Sequence, residues 1–157
     1  MILTSYHLLT LTVVLRPECR FGYYRWLNDR DRAMGHKTKG IAKCDKTLKD
    51  GWYRFGTSMG RDMPTKLFKT NICQTHAPGW FRGRLPTLKY QRVSGTVCFN
   101  WKGNTCRWST RIMVTNCGLY RVYRLVKTSH CSLRYCGNNN IGKKMSVYKT
   151  FGLIVNF

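Results

Sequence analysis

From Trp108 onward the chain alternates. Trp108, Thr110, Ile112 and Val114 fall on one side, and Ser109, Arg111, Met113 and Thr115 on the other. A period of two marks a half-buried strand, because successive side chains of a strand point to opposite faces. Leu119 to Val126 alternates similarly, with Tyr120, Val122 and Val126 on one face and only Arg124 intruding. The two runs predict a hairpin closed around Asn116, Cys117 and Gly118. After Gly51 other short runs, rich in aromatic and β-branched residues and bounded by Gly, Pro, Asn and Ser, carry the same strand signal. No window repeats its apolar residues at helical spacing over a long span. Asn28 to Lys49 is polar and basic, broken by Gly35 and Gly40, and predicts a solvated loop. The expected fold is therefore mainly β: a small disulfide-rich single domain of short antiparallel strands and long loops, with little helix.

The two ends are read separately. Met1 to Leu15 has the length of the apolar region of a signal peptide. It lacks a preceding basic residue, is interrupted by Tyr6 and His7, and has no small-residue cleavage site after it, so a first strand is the alternative. The segment is too short to span a bilayer. Ser146 to Phe157 alternates well enough for a last strand or a hydrophobic flap.

A chain of 157 residues, 43% of them apolar, is sized for one domain with a packed core. Charge complicates that picture: 28 lysines and arginines against 6 acids leave a net +22. Self-repulsion of this size opposes compaction and attracts polyanions. Eight cysteines offer the compensation: Cys19, Cys44, Cys73, Cys98, Cys106, Cys117, Cys131 and Cys136. None are spaced C-x-x-C, so zinc ribbons and thioredoxin-like redox sites are disfavoured. An oxidised framework implies the secretory route, since cytosolic thiols are kept reduced. Cysteine number alone allows 105 pairings.

The inventory for catalysis is poor. Six acids, mostly in polar stretches, and four histidines do not compose a triad or a carboxylate pair, and His76 in its Thr-His-Ala-Pro-Gly turn fits a structural hydrogen bond better than general-base work. No catalytic residue, metal or cofactor is assigned. Trp52, Tyr53, Trp80, Trp101 and Trp108 could stack on sugar rings, but half-buried scaffold aromatics explain them more simply. Arg107, Arg111, Arg121, Arg124 and Arg134 on the expected strands could grip sulfate, carboxylate or phosphate with guanidinium forks.

Ordered motifs along the chain resemble the uromodulin-like domain family with eight to ten cysteines. Tyr24, Leu27, Asn28, Asp29, Arg32 and Ala33 are spaced like that family's opening, and Gly51 to Phe55 (GWYRF), Gly60 and Met63-Pro64 resemble its next run. Cys73 to Trp80 (CQTHAPGW), Gly83, Pro86, Cys98, Trp101, Cys106 and Trp108 follow in order. Cys117, Tyr120, Val122-Tyr123, Leu125, Cys131 and Tyr135-Cys136 are similar to its ending. The resemblance places the domain at residues 19–137, with 1–18 as candidate leader and 138–157 as C-terminal strand or tail.

What the resemblance implies is a disulfide set: Cys19 with Cys117, Cys44 with Cys131, Cys73 with Cys136, and Cys98 with Cys106. Two further family cysteines, partners of each other, are replaced here by Leu67 and Thr105, which removes one bridge and leaves no odd thiol. Relatives with W-L-N-G-T/S-H-P carry an N-linked glycan there, in some cases bait for bacterial adhesins. Here the segment reads Trp80-Phe81-Arg82-Gly83-Arg84-Leu85-Pro86, and no N-x-S/T occurs in the chain, so that role is not carried over. Arg82 and Arg84 join the candidate anion-binding set instead.

The functional expectation is a secreted, non-catalytic recognition module for acidic glycans or another anionic extracellular ligand. Alternatives are a cationic host-defence or venom-like protein acting on anionic membranes, and a fragment of a larger adhesive or matrix protein. Nucleic acid is not an expected partner, because no reader motif accompanies the charge. Oligomeric state is left open.

Overall fold

The longest elements are β4 (Arg92–Trp101) and β5 (Asn104–Asn116), an antiparallel hairpin turned at Lys102 and Gly103, both at positive φ. The computed structural model describes residues 16–66 and 69–139. Around this hairpin stand β1 (Arg25–Leu27), β2 (Gly51–Phe55), β3 (Ala77–Arg82), β6 (Arg121–Leu125) and β7 (Leu133–Tyr135), in one sheet of order β1-β2-β6-β5-β4-β3-β7. Among the described residues the only helical pieces are three 3₁₀ turns, at Pro17–Cys19, Arg30–Arg32 and Thr57–Met59. The mainly-β, disulfide-rich reading holds. Within this mostly antiparallel sheet two pairings at the edges are parallel, β1 with β2 and β3 with β7. Both parallel pairs involve three-residue edge strands fixed by distant chain segments, and no local pattern announces them.

One face of the sheet carries the core. Leu27, Tyr53, Phe55, Phe81, Val97, Phe99, Ile112, Val114, Tyr123 and Leu125 are buried there, covered by Ala33, Met59 and Met63 from the long loops. Each such side chain contributes about 1.5 to 3 kcal/mol for leaving water. The Phe81 ring fills the space beside Gly95, where an added Cβ would come within 2.1 Å of the ring. Any larger residue at 95 would displace it.

The β5–β6 hairpin forms as the alternation predicts, but the facing of β6 is corrected. Val114 lies opposite Tyr123, so Tyr123 and Leu125 face the core, while Val122 lies opposite Thr115 on the other face. Apolar residues occupy both parities of this short run, so period alone could not choose, and the hydrogen-bond register does. Val122 is still buried. Nearby, the turn at Pro17–Cys19 brings the Glu18 carboxylate to the Thr115 hydroxyl, which donates to it at 2.7 Å. The folded unit thus reaches back past the boundary drawn at Cys19. The leader segment 1–15, Leu67 and the tail from residue 140 lie outside the described residues.

The four bridges are Cys19–Cys117, Cys44–Cys131, Cys73–Cys136 and Cys98–Cys106, the pairs that the resemblance implies. All eight cysteines are thereby consumed. Cys44–Cys131 and Cys73–Cys136 tie the loop layer over the core. The Asn28 to Lys49 segment within that layer is irregular, as expected, yet it is not merely solvated. Arg32, Ala33 and Asp45 are among its buried residues. A polar run reads as solvated only while its partners are unknown, and here Arg32 and Asp45 hold each other and both bond Tyr135 in β7, at least 90 residues away.

Candidate functional site: a basic outer face

Opposed residues in a sheet share a face, so the strand registers fix what lies on the side away from the core. Arg82 stands opposite Thr96, and Thr96 opposite Arg111. One step along, Met113 stands opposite Arg124, and Arg124 opposite Trp52. In the other direction Trp80 stands opposite Cys98, and Cys98 opposite Ser109. Arg107 does not continue this face: the ladder shifts register near the hairpin tip, and the Arg107 guanidinium sits 5.9 Å from the Trp108 ring centre, beside Trp101. Strand spacing puts Arg82 and Arg111 about 10 Å apart across the sheet. Arg111 and Arg124 are diagonal neighbours, about 7 to 8 Å apart. Arg82, Arg107, Arg111 and Arg124 are exposed, and none has a carboxylate partner among the described residues. Arg84 is also exposed, just beyond the end of β3, with no carboxylate partner among the described residues.

Two further members of the expected set lie elsewhere. Arg134 is buried, its side chain 2% exposed, with Nη2 donating to Asp31 at 2.9 Å and Nη1 donating to the Cys73 carbonyl at 3.0 Å. Burial and the neighbouring Arg32 charge hold its pKa below the ordinary value. Arg121 donates to Asp62 at 2.9 Å and to the Pro86 carbonyl at 3.0 Å on the core side. Neither can meet a ligand on the outer face, because each is committed to a carboxylate that the fold delivers from far away in sequence.

The acids explain why the outer face stays positive. Arg32 grips Asp45 with two parallel hydrogen bonds of 2.8 and 2.7 Å and donates from Nε to Asp29 at 2.7 Å. Burial would lower the Arg32 pKa, but the Asp45 carboxylate outweighs it and raises the value. Asp45 also accepts the Tyr135 N–H at 2.8 Å, which ties the loop to β7. Asp31 takes Lys43 as well as Arg134. Asp62 holds Arg121 and the Tyr123 hydroxyl. Asp50 accepts the Lys127 backbone N–H. Glu18 accepts Arg92 and Thr115 at one margin of the outer face. All six acids are thus engaged within the fold, so the surplus of cations is left for the surface.

Sequence reasoning missed Arg54 and Arg92, which also point to the outer side. The Arg54 guanidinium sits 3.7 Å from the Tyr120 ring centre and 4.5 Å from that of Trp26, and it donates to the Tyr24 hydroxyl. Arg92 stacks 5.2 Å from Trp52. These cation–aromatic contacts stabilise the margin and orient its arginines. The spacing of Tyr24 and Trp26 before β2 was the available signal, but their contact with Arg54 depends on β1 pairing.

The aromatics divide between the two sides. Trp52 and Trp80 are half-buried on the outer face, and Trp80 donates its N–H to the Thr105 carbonyl at 3.1 Å. Thr105, one of the two replaced cysteine positions, therefore serves through its backbone. Tyr53 is in the core, while Trp101 and Trp108 pack half-buried against it. His76 makes a structural contact, 3.0 Å from Nδ1 to the Ser132 hydroxyl. Among the described residues no group of three or more His, Cys, Asp or Glu is placed to hold a metal ion.

A model of the uromodulin-like domain matches residues 53–137, more than half of the chain. The chain belongs to the uromodulin-like domain family. It is similar to the pancreatic secretory granule membrane major glycoprotein of Canis lupus familiaris, 44% identical over 114 residues that cover 72% of this chain and 22% of that protein. It is also similar to the Mus musculus protein of the same name, 39% identical over 122 residues, 75% of this chain and 23% of that one. Uromodulin of Mus musculus is 39% identical over 94 residues, covering 59% of this chain and 14% of its own length. The chain thus spans about a fifth of the length of the first curated relatives it matches. Family membership and four disulfides make this uromodulin-like domain an extracellular, secretory-route module.

Within the uromodulin-like domain the family motifs turn out to be scaffold. GWYRF is β2, Met63 donates its backbone N–H to the Tyr123 hydroxyl, and the Pro64 carbonyl accepts from Phe81. The outer arginines lie between these motifs.

Proposed function

We propose that this uromodulin-like domain is a non-catalytic recognition module that engages acidic glycans through its outer face. One observation carries the reading: Arg82, Arg111 and Arg124 share that face without a carboxylate partner among the described residues, while five acids are committed away from it and Glu18 is held by Arg92 and Thr115 at its margin. Guanidinium forks match sulfate and carboxylate oxygens bidentately, which ammonium groups do not. Arginines 7 to 10 Å apart lie within about one Debye length at physiological salt, so their potentials add. Coverage of only a fifth of its relatives supports a module that works within a longer adhesive or matrix chain.

The test is retention on heparin across a salt gradient. The expected result is elution above about 0.15 M salt, with the Arg82→Ala/Arg111→Ala/Arg124→Ala variant eluting clearly earlier. Elution of the unaltered chain below that salt, or no shift in the variant, overturns the reading. Leakage from anionic vesicles at micromolar protein would favour the membrane-active alternative instead.

A further inference from the structure

On the side of the sheet opposite the arginine platform, the β4–β5 hairpin runs beyond the loops that cover the core. Three adjoining hollows open there and share Trp108. One of about 310 Å³ lies between Trp108, Thr110, Lys46 and Lys127. A second, about 230 Å³, lies between Trp108, Trp101 and His76, and a third, about 340 Å³, opens at the hairpin tip between Trp101, Trp108, Lys102 and Arg107. Singly they are at the lower end of ligand-site size, the scale of one sugar ring, and together they form a groove.

The lining has a consistent chemistry. Trp101 and Trp108 are only half-buried, and neither indole N–H has a hydrogen-bond partner among the described residues. His76 leans on Trp101 and His130 on Trp108, each with ring centres 5.8 Å apart, which braces both indoles in place. Lys102 sits 5.7 Å from the Trp101 ring centre. Lys46 and Lys127 are exposed and without carboxylate partners among the described residues, and no acid lines any of the three hollows. Flat aromatic faces with free N–H donors suit the apolar face and hydroxyls of a pyranose. Ammonium groups at the rim suit an attached carboxylate.

We propose that this groove is a second binding site, distinct from the arginine face, for a single pyranose unit bearing a carboxylate. The two candidate sources of that chemistry are a terminal sialic acid and an internal uronic acid. The site does not depend on the heparin reading, since the sheet separates the two surfaces.

The experiment follows tryptophan fluorescence of the full chain during titration with sialyllactose, with a hyaluronan tetrasaccharide, and with lactose as the neutral control. Saturable change with at least one acidic sugar is expected, with lactose at least about tenfold weaker. The acidic sugar that binds identifies the source. Lys46→Ala/Lys127→Ala should weaken that binding at least severalfold, while Arg82→Ala/Arg111→Ala/Arg124→Ala leaves it unchanged. The proposal is overturned if neither acidic sugar saturates, if lactose binds equally well, if the double lysine variant binds normally, or if the arginine variant abolishes the signal.

Discussion

Where loops cover them, Arg32, Arg121 and Arg134 each meet a carboxylate, whereas on the open outer face Arg82, Arg111 and Arg124 meet none among the described residues. The same residue type is structural in one place and uncommitted in the other. Desolvation decides which. A guanidinium under the loops loses its water and persists only with carboxylates and carbonyls around it, while one on the open face keeps its hydration and needs no partner. All six acids are engaged within the fold, Asp50 by the Lys127 backbone N–H and Glu18 by Arg92 at the margin of the outer face, so none neutralises these three arginines. The positive outer face is in this sense a consequence of where the fold commits its carboxylates.

The largest effect expected from breaking this arrangement comes from the covers. The bridges Cys44–Cys131 and Cys73–Cys136 hold the loop layer with sequence separations of 87 and 63, whereas Cys98–Cys106, within the β4–β5 hairpin, spans 8. In the chain-entropy account, Cys44→Ser/Cys131→Ser should cost about 4 to 5 kcal/mol and Cys98→Ser/Cys106→Ser about 2.5 kcal/mol. Urea midpoints of the two variants give the ranking, and a reversed order would mean that the loop cover is not what the long bridges stabilise.

Next comes the ion pair under that cover. Arg32→Ala leaves the Asp45 carboxylate buried with its main cation gone, at an expected cost of about 3 to 5 kcal/mol. Replacing both partners by Met and Leu should cost much less, because no charge is then stranded. Equal losses in the single and double variants, read by thermal unfolding, would show that the pair acts through packing and not through charge.

Much of this was legible in the sequence. Alternation located β5 and β6, and the ordered cysteines and motifs placed the framework. What stayed hidden is long-range pairing. Arg134 alternates on a strand like Arg111, yet its neighbours are Asp31 and Cys73, brought over it by the fold. Asp45 sits in a basic, glycine-broken run, and only the approach of Arg32 and Tyr135 shows that it belongs inside. The three-residue edge strands are equally silent, since their parallel partners lie 28 and 56 positions away in register, as with Arg25 and Tyr53 or Ala77 and Leu133. The groove tryptophans were visible as residues but not as neighbours, because the turn carrying His76 and the loop carrying His130 come together only in three dimensions.

Acid should then erode the covered and marginal pairs while sparing the platform. Burial pushes Glu18 upward, but hydrogen bonds from Arg92 and Thr115 outweigh it and hold the carboxyl below its ordinary value. Asp31 is likewise raised by burial and lowered further by Lys43 and Arg134. A carboxyl depressed in the folded state stabilises at pH above its unfolded value, and that stability is lost as pH falls through the folded value. Stability should therefore be level from about pH 7 to 5 and decline below about pH 4. Glu18→Gln should make the decline shallower in acid unfolding curves, and an unchanged curve would remove Glu18 from the account.

The smallest effect is the most discriminating for the outer face. If Arg82, Arg111 and Arg124 are free of partners, their loss should cost the fold nothing, because surface substitutions away from structural contacts stay within about 0.5 kcal/mol. A modest gain is expected instead. Two like charges about 8 Å apart in water repel by about 0.5 kcal/mol before screening, and physiological salt removes most of that. The triple alanine variant should accordingly be a few tenths of a kcal/mol more stable than the unaltered chain at low salt, with the difference vanishing near 1 M, where the Debye length is about 3 Å. Urea unfolding at the two salt concentrations measures this directly. A loss above about 1 kcal/mol would mean that these arginines, like Arg134, are bound into the fold, and would take the platform away along with the function built on it.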